Sequence, residues 1–148
     1  MRKIALDIGT KKIGVAVSDE LHVTARGIAV IERVGIRKDA SKVLELIKEH
    51  GCDTVVIGLP TNLDGSASIM TEIVHEFRIM LENKMRSNSM GNISIVYEDE
   101  RFTTAMAEKV LIEADMRRSK RKEVIDKQAA VIILQGYLDK LAYEKGKE

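Results

Sequence analysis

The chain has 148 residues, of which 45% are hydrophobic and 32% are charged, and its formal net charge is +1. This length predicts a single domain over residues 1–148, and so small a net charge leaves the class of partner open. The single cysteine, Cys52, excludes an internal disulfide. With neither a secretion signal nor an apolar run of about 20 residues, the sequence predicts a cytoplasmic protein without a membrane span.

The chain opens with two short apolar runs, over 3–8 and 13–18, separated by "GTKK". They predict a β-hairpin, with Gly9 supplying the backbone freedom that a tight turn needs. A third strand is predicted over 23–31.

Helices and apolar strands alternate through the rest of the chain. A helix is predicted over 38–50, with Ala40, Val43, Leu44 and Ile47 on one face and Gly51 at its end, and "TVVIGLP" reads as a strand buried on both faces. After it come a loop at "NLDGS" and a long helix that Ser66 can cap, with Ile69, Met70, Ile73, Val74, Phe77 and Met80 at helical spacing. The last predicted elements are a strand at "ISIVY", a helix capped by Thr103 or Thr104, a loop over 115–122 and a helix over 122–143. This order predicts the α/β class, with a mixed five-stranded sheet and helices on both faces.

An acid, Asp7, lies near the end of the first strand. A buried carboxylate is costly unless it has a cation, donors or water beside it. Asp7 therefore has two interpretations: it closes an Asx-turn on the amides of Gly9 or Thr10, or it binds a metal ion.

Three consecutive acids, Glu98, Asp99 and Glu100, follow the strand "ISIVY". Such a run is typical of a solvated strand end. It also lies at the carboxyl end of a strand, where open α/β sheets place their ligands.

A further acid, Asp126, shares a helix face with Ala129, Ala130 and Ile133. It either complements the positive helix N-terminus or is carried against the strand ends, because small alanines allow the helix to approach the sheet closely.

Acids from three separate elements that converge on one sheet edge repel one another unless cations lie between them. Ligands that offer only oxygen suit Mg²⁺ or Mn²⁺. Two such ions stabilise the attacking and leaving oxygens of a phosphoryl displacement.

Basic residues concentrate in the segment that precedes Asp126. They are Arg117, Arg118, Lys120, Arg121 and Lys122, and Lys11 and Lys12 add two more in the first turn. The segment is either a solubilising loop or a grip for a nucleic-acid backbone.

Four blocks of the sequence together resemble the YqgF/RuvX family, which has a ribonuclease H-like fold. The blocks are "LDIGTKKIGVAVSD", "VVIGLPTNLDGS", "DERFTTAMAEKVL" and "DKQAAVIILQGYL", with Phe102 where the family usually carries leucine. The resemblance implies that Asp7, one acid of "DER" and Asp126 form a metal-binding active site. Within "DER" we expect Glu100, with Asp99 as the alternate.

The same resemblance implies a nuclease that processes the 5′ end of precursor 16S rRNA with two Mg²⁺ or Mn²⁺ ions. Lys11, Lys12, Arg117, Arg118, Lys120 and Arg121 are the expected nucleic-acid contacts. The alternatives are a Holliday-junction resolvase, with branched DNA as the partner, and a non-catalytic RNA-binding or ribosome-associated protein. A monomer or weak dimer is expected, since no heptad seam is present.

Overall fold

The computed structural model describes the backbone of residues 1–59, 69–99 and 118–147, and the side chains of 1–59, 69–98 and 127–144. Within these ranges lie the strands β1 (Arg2–Ile8), β2 (Lys12–Ser18), β3 (Ala25–Glu32), β4 (Cys52–Leu59) and β5 (Ser94–Asp99) and the helices α1 (Ile36–His50), α2 (Ile69–Ser87) and α3 (Arg118–Lys147). The predicted "NLDGS" loop and the helix capped by Thr103 or Thr104 lie outside the described residues.

The strands form one sheet in the order β3-β2-β1-β4-β5. β2 is antiparallel to both of its neighbours, whereas β1, β4 and β5 run parallel. The opening hairpin and the mixed five-stranded sheet are therefore confirmed. Because β3 also runs in the direction of β1, four strands end on the same side of the sheet, which we call the carboxyl edge.

Strand alternation sends apolar side chains to both faces of the sheet. One face packs on α1 and α2 and includes Ile4, Leu6, Ile13, Val15, Val55, Ile57, Val43, Ile47, Val74 and Phe77. The other face packs on α3 and consists of smaller residues, namely Ala5, Ala16 and Val56 against Ala130, Ile133, Leu134 and Leu138. Helices on both faces are thus confirmed.

Helix α1 begins at Ile36, two residues before the predicted start, and ends where predicted. Gly51 follows it in the left-handed conformation (φ 63°), and its amide bonds carbonyls of the last turn, as expected for a helix-ending glycine. The buried face is the predicted one, formed by Ala40, Val43, Leu44 and Ile47.

Two predictions about the longer helices are wrong in detail. The loop predicted over 115–122 is helical from Arg118 onward, because arginine and lysine favour helix almost as strongly as alanine although they carry no apolar periodicity. Ile69, which the helical spacing grouped with the other apolar residues of α2, is 78% exposed, and the first fully buried member of that group is Val74. None of the helices in the described ranges combines the length and the hydropathy that a membrane span requires.

Candidate active site at the carboxyl edge

Asp7 lies one residue before the end of β1 and is partly buried. Asp7 lies two residues after Ala5, which packs against α3. Because side chains alternate between the two faces of a strand, Asp7 projects from the same face as Ala5. Its partner in β2 is Gly14, and the pairing of Leu6 with Ile57 puts Gly58 of β4 on its other side.

The same row continues into β5, where Gly58 pairs with Glu98. Neither strand that flanks Asp7 therefore contributes a side chain at its level. Two strand spacings separate the backbones of Asp7 and Glu98, about 10 Å. Asp7 and Glu98 therefore project from the α3 face in one row, with Gly58 between them.

The turn that follows Asp7 closes through its backbone, since the amide of Gly9 donates to the carbonyl oxygen of Lys12 at 2.8 Å. A Cβ on Gly9 would lie 2.9 Å from that oxygen. The tight turn predicted at Gly9 therefore needs a glycine because the backbone approaches closely there, and Gly9 is not among the residues with a positive φ.

Arg33 braces the same turn from the end of β3. Its amide donates to the carbonyl of Lys11 at 2.9 Å, and its Nη1 donates to the carbonyl of Gly9 at 3.1 Å. Its Nε donates to Oδ2 of Asp39 at 3.1 Å, and Asp39 is fully buried. A buried ion pair thus fixes the loop next to Asp7, which no local sequence pattern indicated.

Glu98 is held by α3. Its carboxylate forms an ion pair with Lys140, and the Glu98 side chain is only 11% exposed. A Cβ built on Gly136 would lie 4.0 Å from Glu98 Oε1. Among the three consecutive acids, Glu98 was the one to which the sequence analysis assigned no role, and only the strand register shows that it shares a row and a face with Asp7.

The other predicted acids cannot be placed as side chains. Glu100 lies outside the described residues, and Asp99 and Asp126 are described as backbone alone, in β5 and α3. Among the described residues, no group of three or more His, Cys, Asp or Glu side chains could hold a metal ion.

The helix that carries Asp126 does approach the sheet closely, as its small residues predicted. Ala129 and Ala130 are buried, and a Cβ on Gly27 of β3 would lie 3.0 Å from the Cβ of Lys127. Asp126 precedes Lys127 in this helix, so its backbone belongs to the face of the sheet from which Asp7 projects.

The predicted nucleic-acid contacts divide into two groups. Lys11 is exposed and Lys12 is half-buried, both in the turn beside Asp7. Arg118, Lys120 and Arg121 belong to the first turn of α3, and their side chains, like the whole of Arg117, lie outside the described residues.

Cys52 has the properties of a structural residue. It is 2% exposed, and burial raises the pKa of its thiol to about 11. Because thiolate is the reactive form, Ellman's reagent should modify the native protein far more slowly than the urea-unfolded protein at neutral pH. Equal rates in the two states would contradict this assignment.

The sequence profile of the RuvX family, described as Holliday junction resolvase, matches residues 1–140. The chain belongs to the RuvX family. The RuvX relatives include a protein of Bacillus pumilus (strain SAFR-032), 46% identical over 143 residues that cover 95% of this chain and 99% of the relative. A relative from Clostridium botulinum (strain Eklund 17B / Type B) is 44% identical over 142 residues, covering 96% of this chain and 99% of that protein. Both relatives carry the name "Putative pre-16S rRNA nuclease".

Solved structures show that this RuvX chain has the fold of the RuvC-like resolvases. The RuvC of T. thermophilus, solved with a Holliday junction substrate, superposes with a TM-score of 0.56 at 12% identity over 93% of each chain. The fowlpox virus resolvase, solved with Holliday junction DNA, gives a TM-score of 0.55 at 14% identity, over 95% of this chain and 99% of that one. The family and the fold inferred from the four sequence blocks are therefore confirmed.

Proposed function

We propose that this chain is a divalent-metal-dependent endonuclease that cleaves phosphodiester bonds at the 5′ end of precursor 16S rRNA. The observation that carries the proposal is the position of Asp7, at the carboxyl edge of a ribonuclease H-like sheet with a glycine in the neighbouring strand on either side. Its RuvX relatives bear the name of such a nuclease. We place the activity in one cytoplasmic domain over residues 1–148, working as a monomer or weak dimer.

Asp7, Glu100 and Asp126 are the residues that we propose to hold two Mg²⁺ or Mn²⁺ ions. Their carboxylate oxygens are the donors that these ions prefer. Glu100 is our choice within the "DER" block, with Asp99 as the alternate, and it directly follows β5 in the sequence.

The ions, when bound, supply charge stabilisation for the attacking and leaving oxygens of an in-line displacement. The chain itself orients the strand to be cut. Lys11 and Lys12 lie in the turn that follows Asp7, Arg117, Arg118, Lys120 and Arg121 precede Asp126 in the sequence, and we propose that both groups bind the phosphate backbone. Aromatic residues make up only 3% of the chain, which favours backbone contacts over base stacking.

Cleavage of Holliday junctions is the second candidate function. The description of the family profile favours it. Symmetrical cutting of a four-way junction requires paired active sites, and hence a dimer, whereas a single cut in a transcript requires one site.

A side-by-side digestion tests the proposed function. Purified protein is incubated with precursor 16S rRNA and with a four-way DNA junction, each in Mg²⁺, in Mn²⁺ and in chelator. We expect metal-dependent cleavage of the RNA. Cutting of the junction alone would establish the second candidate, and binding of RNA without any cleavage would establish a non-catalytic protein.

Thermal melting tests the metal site without any substrate. Because clustered acids repel one another in the absence of metal, Asp7→Asn should raise the melting temperature of the metal-free protein. Mg²⁺ should then stabilise the parent protein more than the variant, since only the parent keeps the full ligand set. Equal shifts in both proteins would contradict the assignment of Asp7 as a ligand.

A further inference from the structure

A run of exposed basic side chains continues from the turn beside Asp7 onto α1. Its members, which we call the basic track, are Lys11, Arg37, Lys38 and Lys42, and all four are exposed. Lys38 and Lys42 lie one helical turn apart, so they share a face of α1.

The fold brings Lys11 and the first turn of α1, which carries Arg37 and Lys38, to the carboxyl edge; Lys42 lies one turn further along α1, which packs on the face of the sheet opposite Asp7. β3 ends there at Glu32, and α1 begins four residues later at Ile36. Between them, Arg33 bonds the carbonyls of Gly9 and Lys11. The turn that follows Asp7 and the start of α1 are therefore fixed side by side.

Two of these cations, Arg37 and Lys38, lie in the first turn of α1, where a helix gains no stability from them. The first turn of a helix is its positive end, which favours acids and disfavours cations. Asp39, the acid in that turn, is fully buried, with its two oxygens bonded to Arg33 Nε and the amide of Val34. Its carboxylate therefore does not offset Arg37 and Lys38 at the surface, and a locally unfavourable charge pattern of this kind is expected where function requires it.

We propose that the basic track binds the sugar–phosphate backbone of the RNA strand where it leaves the active site across the carboxyl edge. This inference rests on the proposed function and extends it, because it assigns a second flank of the substrate to α1. A polyanionic strand complements a row of exposed cations, and its contacts depend on phosphate charge, so the track serves any RNA sequence.

The test removes three charges from the track and leaves Lys11 in place. The variant is Arg37→Gln/Lys38→Gln/Lys42→Gln, and its binding to a labelled RNA that spans the 5′ end of 16S rRNA is measured in chelator at several salt concentrations. Each phosphate contact to a single strand contributes about 0.7 to the slope of log K against log salt. The slope should therefore become shallower by about 2.

A matched control removes three exposed cations from the opposite edge of the sheet. It is Arg26→Gln/Lys48→Gln/Arg86→Gln, in which all three residues are exposed and Lys48 and Arg86 belong to the last turns of their helices. Its slope should equal that of the parent protein. Melting temperatures provide a second readout, because losing cations from the positive end of α1 should leave the track variant at least as stable as the parent.

The outcomes separate this inference from the proposed function. Equal slopes for the track variant, the control and the parent overturn the track, and so does an equal loss of slope in both triple variants. If the parent cleaves RNA in Mg²⁺ while the slope of log K against log salt is unchanged in the track variant, the nuclease assignment stands and the proposed role of the basic track is wrong. If the parent binds no RNA, both the proposed nuclease function and the basic track are wrong.

Discussion

Replacing Asp7 with asparagine should slow RNA cleavage about a thousandfold, which corresponds to about 4 kcal/mol of activation barrier. The carboxylate projects from the α3 face at the carboxyl edge, with Gly14 as its partner in β2. An amide keeps the size of the side chain but removes the charge that binds a divalent cation. The loss should therefore fall on the chemical step rather than on the fold.

Single-turnover cleavage at saturating Mg²⁺ is the measurement, since it isolates chemistry from binding and product release. The matched control is Asp53→Asn, which makes the same chemical change at the start of β4, on the opposite edge. Asp53 pairs with Lys3 at 2.8 Å and is 39% exposed. The control should cut at the parent rate, and undiminished cutting by Asp7→Asn would refute the active-site assignment.

Short continuous apolar runs predicted the sheet, because a strand covered on both faces buries nearly all of its residues. The opening runs and "TVVIGLP" predicted β1, β2 and β4, since their short length and their flanking turn residues favour strands over helices. Gly51 correctly predicted the end of α1, because glycine readily adopts the left-handed conformation that ends helices. In these elements local preference and tertiary packing agree.

The predictions were wrong in detail where intrinsic helix propensity or tertiary packing determined the structure and the sequence carries no regular hydrophobic pattern. The helical start of α3 at Arg118 follows from intrinsic propensity in a segment with no apolar stripe. Ile69 is exposed because the fully buried face of α2 begins further along the helix, at Val74. Helical spacing alone does not determine where along a helix burial begins. The bond from Arg33 to Gly9 joins residues 24 positions apart, and no local signal specifies such a contact.

The candidate site was predictable in part. Asp7 was noticeable because a lone acid near the end of a buried strand is costly unless a cation, donors or water lie beside it, and its role as a metal ligand stays a prediction. Its glycine neighbours and its row with Glu98 depend on strand register, which a single sequence does not give. Glu100 and the side chain of Asp126 lie outside the described residues, so their roles remain predictions.

The buried pair of Arg33 and Asp39 provides the second large effect, on stability. Asp39→Ala should lower the free energy of unfolding by about 3–5 kcal/mol, as expected when one partner of a buried ion pair is removed. The substitution leaves the Arg33 guanidinium, which is 14% exposed, without its carboxylate. It also deprives the amide of Val34 of its acceptor.

Urea unfolding measures this loss, and Asp53→Ala is the matched control because it breaks the more exposed pair with Lys3 by the same substitution. Exposed ion pairs contribute about 0–1 kcal/mol, so the control should change stability by no more than that. A variant that replaces both partners, Arg33→Met/Asp39→Leu, should recover part of the loss because no buried charge is left unpaired. If Asp39→Ala costs no more than Asp53→Ala, the pair does not brace the turn beside Asp7, and the position of Asp7 must depend on the strand pairing alone.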